Sequence, residues 1–152
     1  MKSAGNRKKF NPKKMRFVNE IILHCTGTKP NDVVTVESIN KYHREKKGWR
    51  CIGYHYVVYK DGSVHKGRDI SLVGAHCRGH NQRSIGICYV GGIDANHKDA
   101  DTRTPEQKAA IASLISELKQ KFPSIVKVHG HRDYNATACP CFDAHNEYQN
   151  LV

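Results

Sequence analysis

No apolar run in this 152-residue chain approaches the roughly 20 residues needed to cross a bilayer, so a membrane span is excluded. No internal repeat is present, which excludes solenoids and propellers. Acid is scarce: 14 Asp and Glu stand against 25 Lys and Arg, for a net charge of +11 with the ten His neutral. The scarcity is greatest at the start. Residues 1–16 hold no acid but carry Lys2, Arg7, Lys8, Lys9, Lys13, Lys14 and Arg16. No apolar stretch follows these bases, since MKSAGNRKKFNPKKMRF is polar throughout, so the segment does not read as a secretion signal. Residues 1–16 are expected to be a flexible basic leader, and residues 17–152 a single domain. Such a leader suits a polyanion: nucleic acid, acidic lipid or anionic cell wall. Nothing in residues 17–152 supports nucleic-acid readout, so no specific nucleic-acid partner is expected.

The remaining composition is ordinary for a globular protein, with 38% hydrophobic and 26% charged residues. A chain of this length buries roughly 70% of its unfolded surface and needs no covalent staples. Without a secretion signal, its six cysteines read as thiols before disulfides. Cys88, in the apolar run SIGICYV, reads as a core residue, and Cys51 and Cys77 as structural.

Strand and helix signals interleave. NEIILHC (19–25) reads as a buried strand ending at His24 and Cys25, followed by the loop TGTKPND. Residues 35–47 have helical spacing, with Val36, Ile39, Tyr42 and His43 on one face, and Lys46 to Gly48 end the helix. YHYVVYK (54–60), Asp61-Gly62 and SVHKGR predict a hairpin. Residues 84–91 and SIVKVHG read as further strands, and residues 141–150 as a last short helix. The clearest element is a helix over 105–121. Thr104 is its N-cap, Pro105 fits the first turn and Gln107 completes a capping box. Ile111, Leu114, Ile115, Leu118 and Phe122 form its core-facing stripe. The expected fold is therefore a three-layer α/β domain, with a sheet that the hairpin makes mixed.

Chemistry concentrates at His24 and in the run from His129 to Cys141, HGHRDYNATACPC. Imidazole and thiolate are preferred zinc ligands; a catalytic zinc takes three protein ligands and keeps one position open. The seven residues between His131 and Cys139 are too many for a finger, and one residue between Cys139 and Cys141 is too few for a knuckle. A closed structural site of His129, His131, Cys139 and Cys141 remains an alternative. The open reading draws on strand ends, where α/β sites usually form, and both His24 and His131 fall at such ends. The HRD at 131–133 lacks the Asn spacing and the Gly-rich loop of a protein kinase, which excludes that reading.

ILHCTGTKP, GYHYVVYKDGSVHKGRD, GAHCRGHNQRSIGICYVGGID, TPEQ and GHRDYNATACPCFD occur in an order that resembles the zinc-dependent N-acetylmuramoyl-L-alanine amidases of type 2. That group includes the small lysozyme of the T-seven phage and the animal peptidoglycan recognition proteins. The resemblance spans about residues 17–145 and implies a mixed sheet flanked by helices, a groove and one zinc ion per chain. It places His24, His131 and Cys139 at the ligand positions and Tyr54 at the catalytic tyrosine. Two imidazoles and one thiolate leave Zn2+ with a net positive charge and an open position, where water acidifies toward a pKa of ~7. The un-ionised Tyr54 phenol can donate to a developing oxyanion.

The resemblance also implies that His76 and Asn81 bind substrate along the groove. Trp49 is expected to pack, and His55, which alternates to the other face, to be structural. Thr137 departs from the phage pattern, where Lys stands two residues before the ligand Cys. Its hydroxyl can donate without bringing charge, so weaker oxyanion stabilisation is expected. Cys141 departs too, adding a thiol where Ser or Gly is commoner. The implied activity is hydrolysis of the amide between the lactyl group of N-acetylmuramic acid and L-alanine, as in an endolysin or wall amidase. The alternative is a non-catalytic peptidoglycan-binding module. Peptidoglycan is the implied partner. A regulatory protein partner is also implied, because the T-seven phage member binds its phage's RNA polymerase. The chain is expected to be a monomer, made in the cytoplasm and reaching the wall through a holin, specialised secretion or lysis.

Overall fold

The computed structural model describes residues 15–152. Its sheet is built around β1 (Glu20–Cys25), an interior strand whose six residues are all buried. A strand covered on both sides reads as a continuous apolar run, as EIILHC nearly does. β1 pairs in parallel with β4 (Ser84–Tyr89) on one side and β5 (Lys127–Gly130) on the other. β2 (Tyr56–Val58) continues the sheet parallel to β4, and β3 (Val64–Lys66) closes it antiparallel to β2. The order is β3-β2-β4-β1-β5, a mixed sheet as expected. The β2–β3 hairpin turns at Lys60, Asp61 and Gly62, with Gly62 at φ 88°, where a side chain would be strained.

Period-two alternation separates two chemistries. Ile21, Leu23 and Cys25 face one way with Ile85, Ile87 and Tyr89, and join the main core. Over them lies α2 (Pro105–Lys121), through Ile111, Leu114, Ile115 and Leu118, with Phe122 beyond its end. The short α3 (Ala144–Tyr148) adds Ala144 and Tyr148 to the same core. On the opposite face, Val57 joins Ile39 of α1 (Val36–Glu45), Ile52 and Val90 in a smaller cluster. His24, level with Cys88 in the β1–β4 register, belongs to this second face.

α2 has the expected bounds, and the Thr104–Gln107 capping box forms. The structure corrects α1: Ile39 and His43 are its buried residues, whereas Tyr42 is 54% exposed. The observed strands are shorter than the apolar runs because pairing with neighbours, not hydrophobicity, sets their ends. All six cysteines are free, and Cys88 is fully buried. Of the expected leader, residues 1–14 lie outside the described residues. Arg16 belongs to the folded domain: its guanidinium donates to the carbonyls of Ile70 (3.1 Å), Gln82 (3.2 Å) and Ser84 (3.0 Å). Among the described residues, no helix is long and apolar enough to cross a membrane.

Candidate metal centre and groove

The register of the sheet assembles the centre. Leu23 pairs with Gly130 across β1 and β5, so the next residues, His24 and His131, stand side by side with ring centres 4.8 Å apart. The segment after β5 returns over the end of β1. Arg132 N–H donates to the Cys139 carbonyl (2.7 Å), Tyr89 Oη donates to Pro140 O (2.7 Å), and the Tyr134 hydroxyl bonds the Glu20 carboxylate. Cys139 Sγ thereby lies 3.2 Å from the backbone N of Cys25 and 3.9 Å from His24 Nδ1.

The donor atoms of His24, His131 and Cys139 all fall within 4.8 Å of one another, the sole such trio of metal-capable groups among the described residues. Two imidazoles and one thiol are a zinc-type donor set with three protein ligands, the pattern of an open site. Burial keeps His24 well below the ordinary imidazole range, and His76, His131 and His55 reinforce the shift. The ring therefore stays neutral, as a ligand must. The closed alternative is not assembled. His129 instead bonds Asp133 (2.9 Å) and stacks on His145, while the Cys141 thiol points to the Gly92 carbonyl (3.5 Å).

A groove of about 860 Å³ opens over the centre, with His131, Tyr54, His76, Asn81, His43 and Trp49 among its walls. The Tyr54 ring centre is 5.1 Å from that of His24. Burial, reinforced by nearby cysteine side chains, raises its phenol well above the usual range. His76 lines the groove yet is buried, and its Nδ1 lies 2.8 Å from His24 Nε2. Asn81 Oδ1 accepts the backbone N–H groups of His76 and Cys77, both at 2.9 Å, and so shapes the loop carrying His76. Trp49 is half-buried, edge-on to His43 at 4.7 Å, and divides the groove from a neighbouring cleft. Thr137 is exposed; its hydroxyl oxygen accepts the Cys139 N–H at 3.3 Å, and it is not part of the groove wall. His55 is buried just before β2, beside β4, with Nδ1 accepting the Gly86 N–H (3.0 Å) and Nε2 2.9 Å from Leu72 O, a structural placement.

Sequence reasoning missed Asn135, whose Oδ1 lies 3.1 Å from His131 Nε2. The i, i+4 spacing was the available signal, but the segment holds no regular helix that would have given the spacing meaning. His43 was read only as part of a helix face. It also lines the groove while accepting Gly53 N–H at Nδ1 (3.0 Å).

Comparison with known proteins agrees with this architecture. The endolysin of Escherichia phage T7 is 40% identical over 131 residues, 86% of this chain and 85% of the phage protein. Peptidoglycan-recognition protein SC2 of Drosophila melanogaster is 32% identical over 133 residues, 84% of this chain and 70% of its own. The solved N-acetylmuramoyl-L-alanine amidase LysC of Clostridium intestinale superposes with a TM-score of 0.73 at 28% identity, covering 92% of this chain and 86% of its own. Residues 13–142, which carry the sheet, the groove and the His-His-Cys trio, match the N-acetylmuramoyl-L-alanine amidase family, and the chain belongs to that family.

Proposed function

We propose that this protein is a zinc-dependent amidase that hydrolyses the bond between the lactyl carbonyl of N-acetylmuramic acid and L-alanine in peptidoglycan. The observation that carries the reading is the convergence of His24, His131 and Cys139 beneath the groove of a chain belonging to this family. A zinc ion held by these three residues would supply a Lewis acid for the scissile carbonyl and acidify water at the open position.

The chain's own side chains supply the remainder. Tyr54 stays un-ionised across the neutral range and can donate its phenolic proton to the oxyanion that develops on the carbonyl. The Thr137 hydroxyl accepts from the Cys139 N–H, which leaves its own proton free to donate toward the same oxygen once substrate is bound. His43, Trp49 and the Asn81 amide group present polar and aromatic surface to a glycan–peptide segment, with the buried His76 ring as part of the groove floor, and the groove volume suits a ligand of that size. Peptidoglycan as substrate accords with the names of the relatives, an endolysin and a peptidoglycan-recognition protein. The place of action is then the cell wall at lysis.

The test pairs metal content with cleavage. Wild-type protein is expected to hold about one zinc per chain. His24→Ala, His131→Ala and Cys139→Ala are each expected to lose the metal and the release of stem peptides from sacculi, while the fold persists by circular dichroism. Undiminished cleavage by any of these variants, or by zinc-free protein, contradicts the assignment.

A further inference from the structure

The two histidines of the trio each have a second ring nitrogen, and both of these nitrogens are engaged. For His24, a directed chain of hydrogen bonds fixes which nitrogen carries the proton. The Ser84 hydroxyl lies 2.7 Å from the His80 carbonyl, which can only accept, so the hydroxyl proton points there. Ser84 Oγ therefore accepts at its other contact, 3.2 Å from His76 Nε2, and His76 carries its proton on Nε2. His76 Nδ1 is then a lone pair, and at 2.8 Å it accepts from His24 Nε2–H. The remaining nitrogen of His24, Nδ1, is left unprotonated, and it is the atom that faces Cys139 Sγ at 3.9 Å. For His131, the Asn135 carboxamide oxygen accepts from Nε2–H at 3.1 Å, which again leaves Nδ1 free.

The seat of His76 is built into the backbone. A Cβ at Gly86 would come within 2.7 Å of the His76 ring, and one at Gly74 within 2.6 Å. Two glycines thus open the space that lets this imidazole lie buried against the sheet. The Asn81 side chain grips the backbone N–H groups of His76 and Cys77 and holds the loop over it.

We propose that His76 and Asn135 are positioning residues that lock both histidines of the trio as Nε2–H tautomers, so that their Nδ1 lone pairs converge with the Cys139 thiol. Ser84 sets the direction of the His76 arm. The inference rests on the metal reading above, but the tautomers belong to the zinc-free protein and can be read without metal. Outer partners that orient ligand imidazoles are worth about 10–100-fold in metal affinity.

The test is long-range 1H–15N correlation spectroscopy of zinc-free protein labelled at histidine, together with zinc titration against a competing chelator. In wild-type protein, His24 and His131 are both expected to show a protonated Nε2 and a pyridine-type Nδ1. His76→Phe removes the acceptor and is expected to release the tautomer of His24 and weaken zinc binding about 10–100-fold. His76→Asn, whose Oδ1 can stand where Nδ1 was, is expected to restore both. Asn135→Ala is expected to do to His131 what His76→Phe does to His24, and Asn135→Asp to rescue it. A protonated Nδ1 on His24 or His131 of wild-type protein overturns the proposal, whether or not any variant folds. So does a folded His76→Phe protein with an unchanged His24 spectrum and unchanged zinc affinity. Wild-type protein with the expected tautomers but no zinc affinity would defeat the metal reading and leave the hydrogen-bond assignment standing.

Discussion

At His55, a single buried imidazole ties stability to pH. Burial pushes it down to about 4; the Leu72 carbonyl and Asp69 oppose the shift, while Arg16 and Arg68 reinforce it. His76 is its other titratable neighbour, with ring centres 5.8 Å apart. In the unfolded chain, His55 takes up a proton near its ordinary value of 6.5. Between these two values the unfolded state binds more protons, so stability rises with pH in that window. The contribution is complete above 6.5 and is lost as pH falls toward 4. It should diminish by about 2 kcal/mol between pH 6.5 and about pH 5. Urea unfolding of zinc-free wild-type and His55→Asn protein at the two pH values separates this loss from those of His24, His43 and His76, which burial also holds low. His55→Asn, which keeps an acceptor for the Gly86 N–H, should flatten its His55-dependent part. Tyr54 makes a different prediction, because its contribution is to rate. Tyr54→Phe should keep its zinc and lose about 100-fold in cleavage rate, and an unchanged rate would remove the phenol from the mechanism. Thr137→Lys, which adds a positive charge two residues before Cys139, should raise the rate of stem-peptide release from sacculi, and an unchanged rate would remove position 137 from the mechanism.

At the scale of elements, α2 shows what local signals can and cannot reveal. Its stripe and capping box are short-range patterns, and its bounds follow from them. The same Gln107 that closes the box also reaches the sheet, where Nε2 donates to the carbonyls of Val58 (3.1 Å) and Val90 (3.0 Å). That second role depends on β2 and β4 arriving beside the helix, and no pattern within the helix encodes it. Gln107→Ala should therefore cost about 2–3 kcal/mol, more than loss of a cap alone, since the Val90 carbonyl loses the Gln107 donor and the Val58 carbonyl keeps only the Val90 N–H. The exposed Lys108→Ala should stay within about 0.5 kcal/mol in the same denaturation experiment. The metal trio divides in the same way. His24 and His131 were legible as strand ends, and Cys139 from the ordered motifs it shares with a family. The support of His24 by His76 spans 52 positions in the chain and became visible only once β4 lay beside β1. Tyr42 illustrates the converse. Helical spacing put it with Ile39 and His43, but α1 buries a narrow stripe and leaves Tyr42 at the groove's edge.

For the whole molecule, the proposed function would bring the basic leader and the groove to the same anionic polymer. Six of the bases, Lys2, Arg7, Lys8, Lys9, Lys13 and Lys14, precede the described domain, whereas Arg16 is bound into it. A truncation that tests the leader should thus remove residues 1–14 and spare Arg16. It is expected to weaken retention on anionic sacculi and flatten the salt dependence of binding, with cleavage of a small soluble muropeptide unaltered. Retention and salt dependence equal to those of the full chain would show that the leader has no part in wall binding.

The most direct test of the central claim is mass spectrometry of purified sacculi digested by the full chain, with chelator and with zinc restored. The account predicts free stem peptides beginning at L-alanine beside peptide-free glycan, a pattern abolished by chelator and recovered with zinc. Intact muropeptides from folded, zinc-loaded protein, or cleavage at a glycosidic bond or within the stem peptide, would contradict it.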